Sequence, residues 1–379
     1  MIRYLVYCFP IVVNYILGGV FFISAWRFSE AGAGGITVGA SLAAWALPYA
    51  ITSLWIGGKT NSKNARKLLL FAALALAAIS LCFQIFDGLY LQFLWIVLLG
   101  MASAVYCVPF QVFMKELDPN PSAGIVRAAA LYTFAWSFGI ATGPFIFRQV
   151  SIQTGYALNA ALALLMAISI PLIEHWSKKH PPRNTAPQQD PVDYCGRPDL
   201  ARVGWLVSGI GVLTVAMLRA MEPYRGQKLG FPLEDIGGAL ALVSYMQAFT
   251  ALSFFRSRTW MYRPMPAVLA GLSGAASLLL FGFGERIWCF YLAAVLYGLY
   301  SGTFYFYLVF YSLVHPEKAP HYVGINELIV GIVSVLGPLL GGMLVWGDQS
   351  FLPFLAAAML TAGAALYHFC KLRRCDKNI

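Results

Sequence analysis

The sequence predicts an all-α integral membrane protein whose twelve transmembrane helices form two six-helix bundles. Three observations predict it. Hydrophobic residues make up 59% of the 379-residue chain and charged residues 11%, a balance far more apolar than that of an ordinary soluble domain. Apolar runs of about 17–25 residues, the length that crosses a bilayer, recur from end to end and number twelve. A polar, proline-rich stretch sits at the midpoint and leaves six runs on each side.

Helices are the form these runs must take, because lipid satisfies no free backbone N–H or C=O. A barrel would need alternating segments of about ten residues, and these runs are continuously apolar. The first, Tyr4–Trp26, follows Arg3 and has the outline of a secretory signal. It exceeds the usual 7–15-residue apolar core, and no small-x-small cleavage site precedes a soluble domain, so it reads as helix 1. Ile36–Trp55 follows, and a basic loop separates it from Leu68–Phe86. Leu91–Phe113, Ala128–Phe147 and Ala157–Ile173 complete the first set. The second set is Val203–Met221, Ile236–Phe255, Ala267–Phe283, Phe290–Val314, Val323–Val345 and Phe354–Phe369. Between the sets, the segment 177–202 carries Pro181, Pro182, Pro187, Pro191 and Pro198 among charges and amides. Such composition packs no core and reads as a linker. The expected organisation is a bundle over 1–176, a cytoplasmic linker over 177–202 and a second bundle over 203–379.

Charge predicts the orientation. With the N-terminus in the cytoplasm, 20 of the 26 basic residues fall on inside segments, among them Lys59, Lys63, Arg66, Lys67, Lys115, Arg256, Arg258, Arg263, Lys371 and Arg373. Arg27, Arg148, Arg219, Arg225, Lys228 and Arg286 fall outside. Excess Lys and Arg in cytoplasmic loops sets membrane topology. The net charge of +10 is therefore mostly a topology signal, and a nucleic-acid partner is not expected. Both termini should be cytoplasmic, and the expected site is a bacterial-type inner (plasma) membrane. The seven cysteines include no CxxC and no His/Cys cluster, so neither a disulfide framework nor a metal site is indicated.

The halves echo each other. Helix 4 holds Gly100-x2-Ser103-x2-Tyr106 and helix 10 holds Gly298-x2-Ser301-x2-Phe304. Helix 5 holds Gly139-x3-Gly143-Pro144, and helix 11 holds Gly331 and Gly337-Pro338. Small residues let helices approach closely, and an interior proline removes a backbone hydrogen bond and bends its helix.

With these features the chain resembles the major facilitator superfamily of transporters over essentially its whole length. The loop Gly58-Lys59-Thr60-Asn61-Ser62-Lys63-Asn64-Ala65-Arg66-Lys67 is similar to that family's G-x3-D-[RK]-x-G-[RK]-[RK] pattern. Ser62 stands where the family has Asp, so the latch that this Asp provides has no carboxylate at position 62. Ala65 replaces the second Gly. Gly143-Pro144 resembles part of the family's antiporter motif without the paired glycines that follow it. The resemblance implies a central cavity lined by helices 1, 4, 7 and 10.

Ionisable groups inside a membrane are costly and default to functional hypotheses. Glu327 is the clearest. It joins Gly324, Gly331, Ser334, Pro338 and Gly341 in one stripe of 3- and 4-residue spacing. Two readings stay open for it: a protonatable coupling site, or a gate carboxylate paired with Arg256, Arg258 or a helix N-terminus. Glu116 and Asp118, facing Lys63, Arg66 and Lys67, suggest an ion-pair latch or ordinary solvated charges. Arg219 and Glu222 read as interface anchors ending helix 7. The candidates for a substrate cavity are Asn14, Tyr15, Tyr106, Gln111, Tyr132, Trp136, Tyr245, Gln247, Tyr305 and Tyr307, aromatic rings to stack on a ligand and amides or hydroxyls to orient it.

The expected function is a secondary-active or facilitative permease that moves a small organic solute by alternating access, without catalytic residues or cofactor, as a monomer. The sparse charge favours a neutral, zwitterionic or amphipathic solute over a polyanion. No G-x4-G-K-[ST] sequence is present, so ATP drive is not indicated, and a proton or sodium gradient is the natural energy source. A lipid scramblase or a transporter-like sensor is the alternative. The five histidines show no metal-like spacing to support a membrane enzyme.

Overall fold

The computed structural model describes residues 6, 8–61, 63–117, 125–179, 199–254, 260, 262–313, 319–346 and 349–376. They form twelve helices: α1 (Cys8–Glu30), α2 (Gly35–Gly57), α3 (Ala65–Ile85), α4 (Leu91–Leu117), α5 (Ile125–Phe147), α6 (Ile152–Lys179), α7 (Ala201–Lys228), α8 (Leu233–Ser253), α9 (Pro264–Phe283), α10 (Ile287–Leu313), α11 (Ala319–Leu344) and α12 (Leu352–Asp376). Among the described residues there is no sheet, only an isolated bridge between Trp346 and Gln349. Eleven of the helices are long and apolar enough to cross a membrane, and the apolar part of α11 is the shorter Leu328–Leu344. Several helices outrun their apolar runs. One of them is α7, which continues past Met221 through Pro223 to Lys228.

The helices pair in a repeating pattern. In the first six, α1 packs on α5, α2 on α4, and α3 on both α4 and α6. The same pairings recur six helices later: α7 on α11, α8 on α10, and α9 on both α10 and α12. The echoing glycines sit at matching crossings. A Cβ on Gly143 would strike the α1 backbone at Tyr15 and Gly19, and one on Gly337 would strike the α7 backbone at Leu213. Gly100 approaches the Trp45 carbonyl of α2, and Gly298 the Val243 carbonyl of α8. Gly139 lies against Ile11 of α1, whereas Gly331 faces Ala50 of α2 at ordinary contact distance. Pro144 and Pro338 lie inside α5 and α11 and leave the carbonyls four residues earlier without their helical N–H partner.

Contacts between the first and last six helices are dominated by two long seams, α5 with α8 and α2 with α11. At the end of the bundle away from the termini, the seams are tight. Gly35 meets Gly342 and Gly39 meets Pro338 at backbone contact. Ser29 donates to Gln227 at 3.3 Å, and Arg148 donates to the Glu234 carbonyl at 3.3 Å. At the other end, where α1 and α7 begin and α6 and α12 end, α4 and α10 stand apart from the opposite half among the described residues, save for a minor contact of α10 with α5.

Candidate functional site: a central chamber

Between the two sets of helices lies a chamber of about 320 Å³, within the size range of small-molecule sites. Its wall is drawn from α1, α2, α4, α5, α7, α10 and α11. The lining residues occupy the middle of these helices and the half nearer the termini: Pro10 to Phe21 of α1, Ser103 to Phe110 of α4, and Tyr305 to Val309 of α10. The chamber therefore reaches toward the termini-bearing end and is closed at the other by the Gly39–Pro338 and Ser29–Gln227 contacts.

The wall is mostly apolar and aromatic. Trp45 stacks on Tyr49 with ring centroids 4.7 Å apart, and Phe21 meets Trp45 edge-on at 5.3 Å. On the opposite side Trp136 of α5 lies 4.9 Å from Tyr305 of α10, a ring pair that spans the two halves. Polar groups punctuate this surface. The Trp45 indole donates to Ser103 at 3.4 Å. Asn14 donates to the Pro10 carbonyl at 2.8 Å and is thereby held in place on α1. Tyr106 is 2% exposed, and its hydroxyl has no hydrogen-bond partner among the described residues.

Among the described residues, the only charged side chain in the lining is Arg219. It sits on the stretch of α7 nearer the closed end. Its guanidinium lies over the Trp136 ring, 5.4 Å from the centroid, within the range of a cation–π contact. Its Nη2 is shut off from solvent and meets no acceptor among the described residues. Pro223, four residues on, supplies no N–H to the Arg219 carbonyl, so both ends of this residue are polar and under-satisfied. Glu222, one turn beyond, is 0% exposed, and neither carboxylate oxygen has a partner among the described residues. The pair does not anchor the helix at a water interface. α7 runs on for two turns beyond Arg219; Glu222 is fully buried, and Arg219 is half-buried at the chamber wall.

Among the cavity candidates, Asn14, Tyr106, Tyr132, Trp136 and Tyr305 line the chamber. Tyr15 is buried beside the α1–α5 crossing, where its carbonyl meets Gly143. Tyr245 and Gln247 lie in the α5–α8 seam. The Tyr245 hydroxyl shares a 3.2 Å hydrogen bond with Thr142, and Gln247 donates to Ser137 at 2.6 Å. Tyr307 stacks on Tyr311 at 5.3 Å and meets His368 of α12 edge-on, on the face of α10 turned from the chamber. Helix rotation separates these from Tyr305, two residues from Tyr307. Spacing along the sequence carried no sign of Arg219, Trp45 or Asn326, which also line the wall.

The gate candidates divide as well. Arg66 pairs with Glu174 of α6 at 2.5 Å, which ties α3 to α6 within the first half. Lys63 and Lys67 are exposed. Glu116 and Glu327, and the cavity candidate Gln111, stand on described helices, but their side chains, like Arg256 and Asp118 entirely, fall outside the described residues. No group of three or more His, Cys, Asp or Glu that could hold a metal occurs among the described residues.

The family model of the major facilitator superfamily matches residues 7–315. Solved structures share the architecture over nearly the whole chain. The nucleoside transporter NupG superposes with a TM-score of 0.67 at 13% identity, covering 100% of both chains. A bacterial homologue of the human lysosomal transporter Spinster, inward-facing and unoccupied, gives 0.68 at 14% identity over 99% of this chain and 97% of that one. The human organic anion transporter MFSD10 gives 0.64 at 13% identity over 98% of each. No curated protein sequence matches the chain. A match over most of the length, twelve helices in a recurring pairing and a chamber between the halves converge on one conclusion: this chain is a multi-pass membrane permease of small solutes, and it belongs to the major facilitator superfamily.

Proposed function

We propose that the central chamber is the transport site of a secondary permease for a small organic solute, and that it works by alternating access. The residues before the α6–α7 connection and those after it act as two six-helix halves that rock on the α5–α8 and α2–α11 seams. The observation that carries this reading is the one-sided closure of the chamber. Helix ends meet at backbone contact away from the termini, while the wall reaches toward them. In the orientation favoured by the basic residues, the solved state faces the cytoplasm, and both termini lie there. Paired glycines at matching crossings supply close, smooth surfaces for such a motion.

The test is a cross-link across the closed end. With the seven native cysteines replaced, Ser29→Cys and Gln227→Cys place two thiols where the wild-type side chains touch. Oxidation should join α1 to α7, stop solute flux in proteoliposomes and leave binding from the termini side intact, with reduction restoring flux. Full flux through the cross-linked protein would refute the rocking reading. Impermeant thiol labelling of a lone Cys375 in intact cells, compared with lysed cells, checks the orientation: rapid labelling from outside would reverse it.

A further inference from the structure

We propose that the chamber binds an organic monoanion, with an oxyanion head, most simply a carboxylate, seated on the Arg219 guanidinium and an apolar body against the Trp136 and Tyr305 rings. The inference deepens the reading of the chamber as the transport site and rests on it.

Helix α7 carries its own comparison. Arg225, six residues beyond Arg219, is a structural arginine. Its Nε donates to the Phe281 carbonyl at 2.8 Å, one Nη to Ser350 at 2.9 Å and the other to the Gly284 carbonyl at 3.3 Å. The fold thus supplies acceptors where an arginine only braces helices. Arg219 receives none among the described residues, and its contact is the Trp136 ring. A guanidinium whose Nη2 is shut off from solvent and that meets no acceptor among the described residues is costly. It fits a site whose acceptor arrives with the ligand, and its planar fork matches a carboxylate in bidentate fashion.

The rest of the wall narrows the class. Among the described residues, Arg219 is the lining's single charge and no carboxylate lines the chamber to neutralise it. Glu222 is one turn away but is not part of the lining and makes no ion pair with it. A polyanion would leave its second charge against Val212, Val215 and Leu308. A neutral solute would leave the guanidinium unpaired. Aromatic faces at Trp136 and Tyr305 suit a planar or aliphatic body, and the unpartnered Tyr106 hydroxyl offers a donor to a further polar group on it.

The test uses the purified full-length chain in nanodiscs with defined probes: indole-3-acetate, benzoate and octanoate, each against its primary amide, with tryptophan as a zwitterion and tryptamine as a cation. Binding is read by thermal stabilisation and tryptophan fluorescence. At least one carboxylate should bind about 10–100-fold more tightly than its amide, the span expected for a charge-assisted contact. Arg219→Gln should erase that preference, and Arg219→Lys should restore part of it. The carboxylate–amide comparison on the parent protein needs no variant, so misfolding of one leaves the test intact. Equal binding of acid and amide, tighter binding of tryptamine or tryptophan than of every carboxylate, absence of carboxylate binding up to about 10 mM, or a preference that survives Arg219→Gln would each overturn the proposal. Flux in proteoliposomes separates it from the reading it rests on. Arg219-dependent carboxylate binding without flux would refute the transport site and keep the anion site. Flux of a neutral solute through the chamber, indifferent to Arg219→Gln, would do the reverse.

Discussion

Arg219 and Glu222 stand one turn apart on α7, both enclosed by the bundle, and no ion pair joins them. Opposite charges three residues apart on a helix normally find each other. Here Arg219 turns to the chamber and the Trp136 ring, while Glu222 is fully buried away from the chamber wall. The two groups are thus available for separate tasks.

Glu222 is the one fully buried carboxylate among the described residues. Glu222→Gln keeps its shape and breaks no hydrogen bond in the described structure, so the melting transition in detergent should move by the equivalent of at most about 1 kcal/mol. Glu222→Lys plants a long cation in the same enclosure and should cost several kcal/mol, seen as loss of monodisperse protein. If Glu222 carries a coupled proton, the glutamine variant should lose uphill accumulation and keep exchange down a gradient. Glu327→Gln is the parallel experiment, because the stripe on α11 points to that residue for the same role. Unchanged accumulation with an unchanged pH profile in either variant removes that residue from coupling.

Arg225 braces the closed end by joining α7 to the end of α9, the α9–α10 turn and the α11–α12 connection. Arg225→Ala removes three hydrogen bonds and strands buried carbonyls, for a loss of about 3 kcal/mol or more. Arg225→Lys cannot reproduce the fork and should recover less than half of that. Thermal unfolding followed by size exclusion measures both. Parent-like stability of Arg225→Ala would show that the brace contributes nothing.

Gly143 and Gly337 are expected to be intolerant to the same degree, since each lets one helix of its half reach another's backbone. Replacing either by Leu should force the crossing apart and cost about 2–4 kcal/mol, an overpacking effect at the upper end of the usual range. Gly363 on α12 has open space around it, so Gly363→Ala should be neutral or stabilising by up to about 1 kcal/mol. Equal melting shifts for all three positions would contradict the crossing geometry.

The Arg66–Glu174 pair joins α3 to α6 inside one half, with the two side chains 45% and 21% exposed. An ion pair so open to solvent contributes about 0–1 kcal/mol. Arg66→Ala should therefore change stability little and leave the inward–outward balance unaltered. A large shift in accessibility of chamber cysteines such as Cys107 to thiol reagents would instead assign Arg66 to the gate.

Much of this protein can be read from local sequence. Twelve long apolar runs, a polar midpoint and the Gly-Pro echoes point to the helices, their number and their grouping, because span length and small-residue spacing are properties of a segment by itself. Which face of each helix meets the chamber is not such a property. Lipid and protein interior are both apolar, so a membrane helix carries little periodic contrast to mark its inner side, and Tyr305 looks no different from Tyr307 until α10 is rotated against α5 and α12. Arg219, Glu222, Arg225 and Lys228 resemble a helix end emerging into water. Tertiary packing decides otherwise. The α9–α10 turn and the α11–α12 connection close over α7 and give Arg225 its acceptors. Two turns back along the same helix, the chamber offers Arg219 an aromatic face and, among the described residues, no acceptor. One helix thus holds a structural arginine and a site arginine, and only the neighbours brought in by folding tell them apart.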